Sequence, residues 1–137
     1  MNIVLDTNVL LTIISERSSI HDIFMAFLDE KYTLCVTTDI LMEYEEIITR
    51  HMGHSTASNI LQVIDNAPNV LNINRYYAWH LIEIDPDDNK FVDCAIAAHA
   101  KYIVTGDRHF NVLKTIDFIK LSVITAYEFQ KLLNEDF

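Results

Sequence analysis

Several acidic residues sit where a carboxylate is either costly or useful. Asp6 closes the apolar run Ile3-Val4-Leu5, and Asp107 follows Tyr102-Ile103-Val104-Thr105-Gly106 in the same manner. Asp93 lies inside Phe91-Val92-Asp93-Cys94-Ala95-Ile96-Ala97-Ala98, a helical pattern apolar on nearly every side. An ionised carboxylate there is expensive unless it is paired or holds a cation, and only Lys90 and Lys101 are basic and close in sequence. A fourth acid comes from Glu43, Glu45 or Glu46. Singly, each has an ordinary use: Asp107 as a helix cap, Asp6 as a turn residue, Glu43 as part of a solvated helix face. Brought together, they would repel one another and raise some of their pKa values. Mg²⁺ or Mn²⁺ relieves such repulsion and prefers oxygen ligands. An ion held this way can bind a phosphodiester, activate a water for in-line attack and stabilise the leaving oxygen. No Ser/His/Asp set, Gly-rich phosphate loop or CxxC pair competes with this chemistry.

These acids need elements that converge. Short β-type runs at Ile3–Leu5, Thr33–Val36, Tyr102–Thr105 and Leu121–Ile124 alternate with helical patterns, and a further strand falls at Val70–Ile73 or Leu81–Ile84. The helical patterns cover Val9–Ser15, Ile20–Glu30, Asp39–Met52, Ser55–Ala67, Asp88–Lys101, Phe110–Thr115 and Ala126–Asn134. Strand–helix alternation predicts a parallel sheet between helices, and parallel sheets place their chemistry at the carboxyl ends of the strands. On the helix after the second strand, residues advance by about 100° each, so Ile40, Leu41, Tyr44, Ile47 and Ile48 form one apolar stripe. Glu46 points directly away from that stripe, and Glu43 and Glu45 flank it. Glu43 is nearer the helix N-terminus, hence nearer the strand end, and is the better candidate.

Composition narrows the class. With 137 residues, half of them apolar, and only two Gly and two Pro, the chain reads as a single domain, 1–137, without linkers or repeats. No run approaches a membrane span and no signal-peptide pattern is present, so a cytoplasmic protein is expected. Cys35 and Cys94 sit far apart in apolar runs and read as buried reduced thiols. The net charge of −10 argues against a general basic nucleic-acid surface. Contact with a phosphate backbone must then come from metal ions or from a local rim, for which Lys90, Arg108 and Lys114 are candidates. His51 and His54 have i,i+3 spacing, but Gly53 breaks the helix between them, which disfavours a metal site.

In order and spacing, Ile3-Val4-Leu5-Asp6-Thr7-Asn8-Val9-Leu10, then Glu43-Tyr44, then the segment from Asp85 to Ala98, then Tyr102 to Asp107 resemble the PIN-domain ribonucleases. Within these, the chain is similar to the small stand-alone domains that serve as toxin components of toxin–antitoxin pairs. The resemblance implies an α/β fold, a three-layer α/β/α sandwich with a mostly parallel, roughly five-stranded sheet and the first strand central. It implies cleavage of single-stranded RNA with Mg²⁺ or Mn²⁺, a cognate antitoxin protein as partner, and pairing as a homodimer. Carried over by position, Asp6, Glu43, Asp93 and Asp107 are the metal-binding acids, Asn8 supports the first and Thr105 the last. Asp88 is a further acidic candidate, and Asn89, about 40° from Asp93 around the helix, could orient it. His109 stands where many relatives carry another acid, just before Phe110. On this reading Asp93→Asn abolishes cleavage. The rivals are a catalytically silent PIN-like scaffold that binds a protein partner, and a phosphatase of the aspartyl-nucleophile type. The latter needs a second Asp where Asn8 stands.

Overall fold

The run Ile3-Val4-Leu5 forms the strand β1 (Asn2–Leu5), and none of the three side chains is more than 1% exposed. Successive strand residues face opposite sides of a sheet, so burying all three requires a layer on each face. That is the signature of a central strand in a parallel sheet covered by helices. The computed structural model describes residues 1–116 and 120–136. After β1 come the helices α1 (Thr7–Ile13) and α2 (Asp22–Leu28), strand β2 (Thr33–Val36), the helices α3 (Thr38–Met52) and α4 (His54–Asn66), and strand β3 (Val70–Asn72). An irregular connection leads to a 3₁₀ turn (Pro86–Asp88), α5 (Asn89–Ala97), β4 (Tyr102–Val104), a 3₁₀ segment (Arg108–Thr115), β5 (Ser122–Ile124) and α6 (Ala126–Asp136). The sheet order is β3-β2-β1-β4-β5, every pairing is parallel, and β1 is central. This is the expected α/β/α sandwich.

The open choice of strand resolves in favour of Val70–Ile73. Leu34 pairs with Val70 and Val36 with Asn72, and Ile73 N–H still donates to Val36. Leu81–Ile84 forms no strand: the backbone of Ile82 gives its hydrogen bonds to Asn89 instead, at 2.9 Å each way. Two other expectations shift. The helix expected over Asp88–Lys101 stops at Ala97, and His99 follows in the left-handed region at φ 52°. The stretch Phe110–Thr115 lies within 3₁₀ rather than α-helix.

Helix α3 is held as its stripe predicts. Ile40, Tyr44 and Ile48 are fully buried, and the Thr37 hydroxyl caps the N-terminus by accepting the Ile40 N–H at 3.2 Å. Gly53 ends it at φ 91°, a conformation that glycine adopts without steric cost, and α4 packs back against α3. Cys35 and Cys94 are buried free thiols. Among the described residues, no helix is long and apolar enough to cross a membrane.

Candidate metal centre

Register builds the site. Leu5 pairs with Val104, and the Asp6 N–H continues that ladder to Val104 O at 3.0 Å, so Asp6 and Thr105 come to lie side by side beyond the strand ends. The Thr105 hydroxyl donates to Asp6 Oδ2 at 2.7 Å and accepts the Asp107 N–H at 3.0 Å. One buried hydroxyl thus ties both acids together. Asp107 also does what its position allows, capping the 3₁₀ segment by accepting the His109 N–H at 2.9 Å.

Glu43 arrives from α3, whose buried Tyr44 donates its hydroxyl to Leu5 O at 2.6 Å. A buried phenol must find a partner, and this one pins α3 to the end of β1 beside Asp6. The Glu43 carboxylate accepts from the Thr7 hydroxyl and pairs with Lys90 Nζ at 2.8 Å. Glu45 and Glu46 are exposed, the latter paired with Arg50.

Asp88 completes the cluster. It precedes α5 yet does not use its side chain as a cap. Its Oδ2 and His109 Nδ1 are both shielded from solvent, and neither has a hydrogen-bond partner among the described residues. The two atoms lie 3.4 Å apart, and His109 Nδ1 is also 3.4 Å from Asp107 Oδ1. Asp85, Asp88 and His109 each offer a ligand atom within 4.8 Å of the others.

The electrostatics match the geometry. Burial raises the Asp6 carboxyl above its ordinary range; the Thr105 hydroxyl opposes this, and the charges of Asp107 and Glu43 add to it. Asp88 is pushed up to about 6, first by burial, then by Asp85 and Asp107, with His109 opposing and Asp6 adding. Mutual repulsion among Asp6, Glu43, Asp88 and Asp107 is what a divalent cation would relieve. Asp6, Glu43, Asp88 and Asp107 offer the hard oxygen donors that Mg²⁺ or Mn²⁺ prefers, while among the described residues the group whose ligand atoms lie within 4.8 Å of one another is Asp85, Asp88 and His109.

Asp93 is elsewhere. It lies five residues beyond Asp88, about 140° around a helix, and its carboxylate accepts the Trp79 N–H at 3.0 Å. Burial raises its pKa, the Trp79 N–H lowers it, and the charge that acts on it is His80, not another acid. The structure joins the Asp93 carboxylate to backbone, and among the described contacts none links it to Asp6 or Asp107 as the sequence led one to expect. Asn89, one turn earlier on the same face, binds Ile82 rather than orienting Asp93. Asn8 is exposed and makes no hydrogen bond to Asp6 among the described contacts; its neighbour Thr7 is the buried one that reaches the site.

The three rim cations do border the acids. Lys90 lines a cleft of about 910 Å³ with Asp39, Glu43 and Asp87, while Arg108 and Lys114 line a smaller one with Thr105 and Asp107. The sequence reading missed Thr7, Asp85 and the anchoring role of Tyr44. Only Tyr44 left a signal, a hydroxyl in an apolar stripe.

A family model for the PIN domain matches residues 2–109. The chain belongs to the PIN-domain family. Solved structures share the fold of this PIN domain. VapBC-1 from nontypeable Haemophilus influenzae aligns with a TM-score of 0.64 and 16% identity, over 93% of this chain and 99% of that one. DNA-bound VapBC from Salmonella typhimurium gives 0.63 and 16%, over 92% and 98%. VapBC2 from Rickettsia felis, bound to a DNA fragment from their promoter, gives 0.61 and 17%, over 91% and 98%. No curated protein matches the PIN domain significantly in sequence.

Proposed function

We propose that this PIN domain is a divalent-metal-dependent endoribonuclease that hydrolyses phosphodiester bonds in single-stranded RNA. The observation that carries the reading is the convergence of Asp6, Glu43, Asp88 and Asp107 at the carboxyl end of a parallel sheet, with raised carboxyl pKa values at Asp6 and Asp88. The likeness to VapBC structures supports a toxin role with a cognate antitoxin protein as partner; a homodimer as the working form rests on the family resemblance alone.

In the reaction, Asp6, Glu43 and Asp107 would hold the Mg²⁺ or Mn²⁺ ion, with Asp88 beside them. When bound, the ion supplies the positive charge that admits a phosphodiester into an acidic site and makes a water more acidic. Thr105 and Thr7 fix the directions of the Asp6 and Glu43 carboxylates before substrate arrives. Asp88, with its carboxyl pushed up to about 6 and its Oδ2 3.4 Å from His109 Nδ1, takes the proton released by the attacking water. Lys90 balances Glu43 in the free protein and offers a cation to the substrate phosphate. No side chain forms a covalent intermediate.

The test is cleavage of a mixed single-stranded RNA pool. Expected results are activity with Mn²⁺ or Mg²⁺, loss with EDTA, restoration by excess metal, and no activity for Asp6→Asn. Chelator-resistant cleavage by the pure protein would contradict the metal reading. No cleavage together with no Mn²⁺-induced rise in melting temperature would favour a silent scaffold.

A further inference from the structure

We propose that the segment Arg75-Tyr76-Tyr77-Ala78-Trp79-His80 is a base-stacking subsite that seats single-stranded RNA leading away from the wall of the acidic cleft. The inference rests on the ribonuclease reading above and deepens it.

Phosphate recognition alone cannot seat RNA on this molecule, because the net charge is −10 and the cleft wall itself carries Asp39, Glu43, Glu46 and Asp87. Bases carry no charge, and stacking on aromatic rings is the sequence-tolerant way to hold a single strand. The segment supplies what that mode needs. It contains the only tryptophan, two tyrosines, an arginine and a histidine, and no acid occurs between Asp65 and Glu83. Tyr77 is 69% exposed and Tyr76 38%. The Tyr77 and Trp79 rings meet edge to face with centroids 4.7 Å apart. Arg75 is exposed on the same run, and a guanidinium can contact both a base face and a phosphate.

Placement is the second line of support. The segment has no regular secondary structure, yet it is fixed at two points, and a third lies just beyond it. Tyr76 donates its hydroxyl to Asp39 Oδ2 at 3.2 Å, Trp79 N–H is held by Asp93, and Ile82 by Asn89. Asp39 is one helical turn before Glu43 on α3 and lines the same cleft as Glu43 and Lys90. Tyr76 therefore meets the cleft wall, and the run leads away from it to Trp79, which lines a separate cavity with Ala95, His99 and Lys120. Helix α5 serves both, presenting Lys90 to the cleft and Asn89 and Asp93 to the segment. An aromatic run tied down by the exposed Asp39 and the buried Asp93 is organised to present its rings.

The test measures binding and cleavage separately. A labelled uridine oligonucleotide is titrated into the protein in EDTA, following its anisotropy and the Trp79 fluorescence. Wild type should bind with quenching of Trp79, and Tyr77→Ala should weaken binding by about 10-fold, the scale of one lost stacking platform. Tyr77→Phe keeps the ring and should restore affinity. With Mn²⁺, Tyr77→Ala should raise KM by a similar factor while kcat is kept. If RNA is cut but Tyr77→Ala matches wild type in affinity and KM, or Trp79 fluorescence ignores RNA, the subsite is overturned and the nuclease reading stands. Tyr77-dependent binding without any cleavage supports the subsite and removes the nuclease reading. If wild type neither binds nor cuts RNA, both are overturned and a protein partner for this surface takes their place.

Discussion

Asp6 and Asp88 are carboxyls that resist ionisation, and the sign of that resistance can be read in stability. A folded-state pKa raised above the unfolded value means the folded protein binds more protons in the interval between them, so stability falls as pH rises through it. For Asp88 the interval runs from the ordinary 3.8 to about 6. In EDTA, Asp88→Asn should melt close to wild type at the acid end and progressively above it as pH approaches neutrality. The gap should level off near about 1–2 kcal/mol, after allowing for solvent screening. Melting curves across that range check this; a gap that shrinks with pH would place Asp88 outside the repulsive cluster. Thr105 is the complementary case. Thr105→Val keeps the shape but removes the donor to Asp6 and the acceptor for Asp107 N–H. It should cost about 1–3 kcal/mol in urea unfolding and weaken Mn²⁺ binding, because Asp6 loses the bond that favours its charged form.

Helix α5 works through two faces, and its sequence reveals one more readily than the other. Asp93 sits in an apolar helix and needs a partner, which the pattern makes plain. The pattern does not reveal that the partner is the N–H of Trp79, fourteen residues upstream in a segment without periodicity. Asp88, in the polar run Asp85-Pro86-Asp87-Asp88, is marked as a candidate by the family resemblance rather than by its local pattern, and the fold sets it against Asp6 and Asp107. The Asp93 carboxylate thus has a backbone partner, while the Asp88 carboxyl faces other acids. Asp93→Asn keeps an acceptor for Trp79 and is expected to leave cleavage near wild type. Asp93→Leu removes the acceptor and should lower stability by about 1–3 kcal/mol. Faster amide exchange at Trp79 in Asp93→Leu, but not in Asp93→Asn, is the accompanying readout.

At the scale of the molecule, the parallel sheet does the converging. Asp6 and Asp107 were legible because each ends an apolar strand-like run, and Glu43 because α3 has one clear stripe. The choice between Val70–Ile73 and Leu81–Ile84 was not legible, since both are apolar and only pairing with β2 separates them. Placing four carboxylates in one region of a chain of net charge −10 makes the empty site unfavourable and a bound cation stabilising. Mn²⁺ at about 100 times its dissociation constant should add about 2.7 kcal/mol to wild type and much less to Asp6→Asn, as melting temperatures would show. The most direct measurement compares Mn²⁺-dependent cleavage of single-stranded RNA by wild type, Asp88→Asn and Asp93→Asn. Wild type and Asp93→Asn are expected to cut and Asp88→Asn to be inactive; an active Asp88→Asn beside an inactive Asp93→Asn would contradict the site described here.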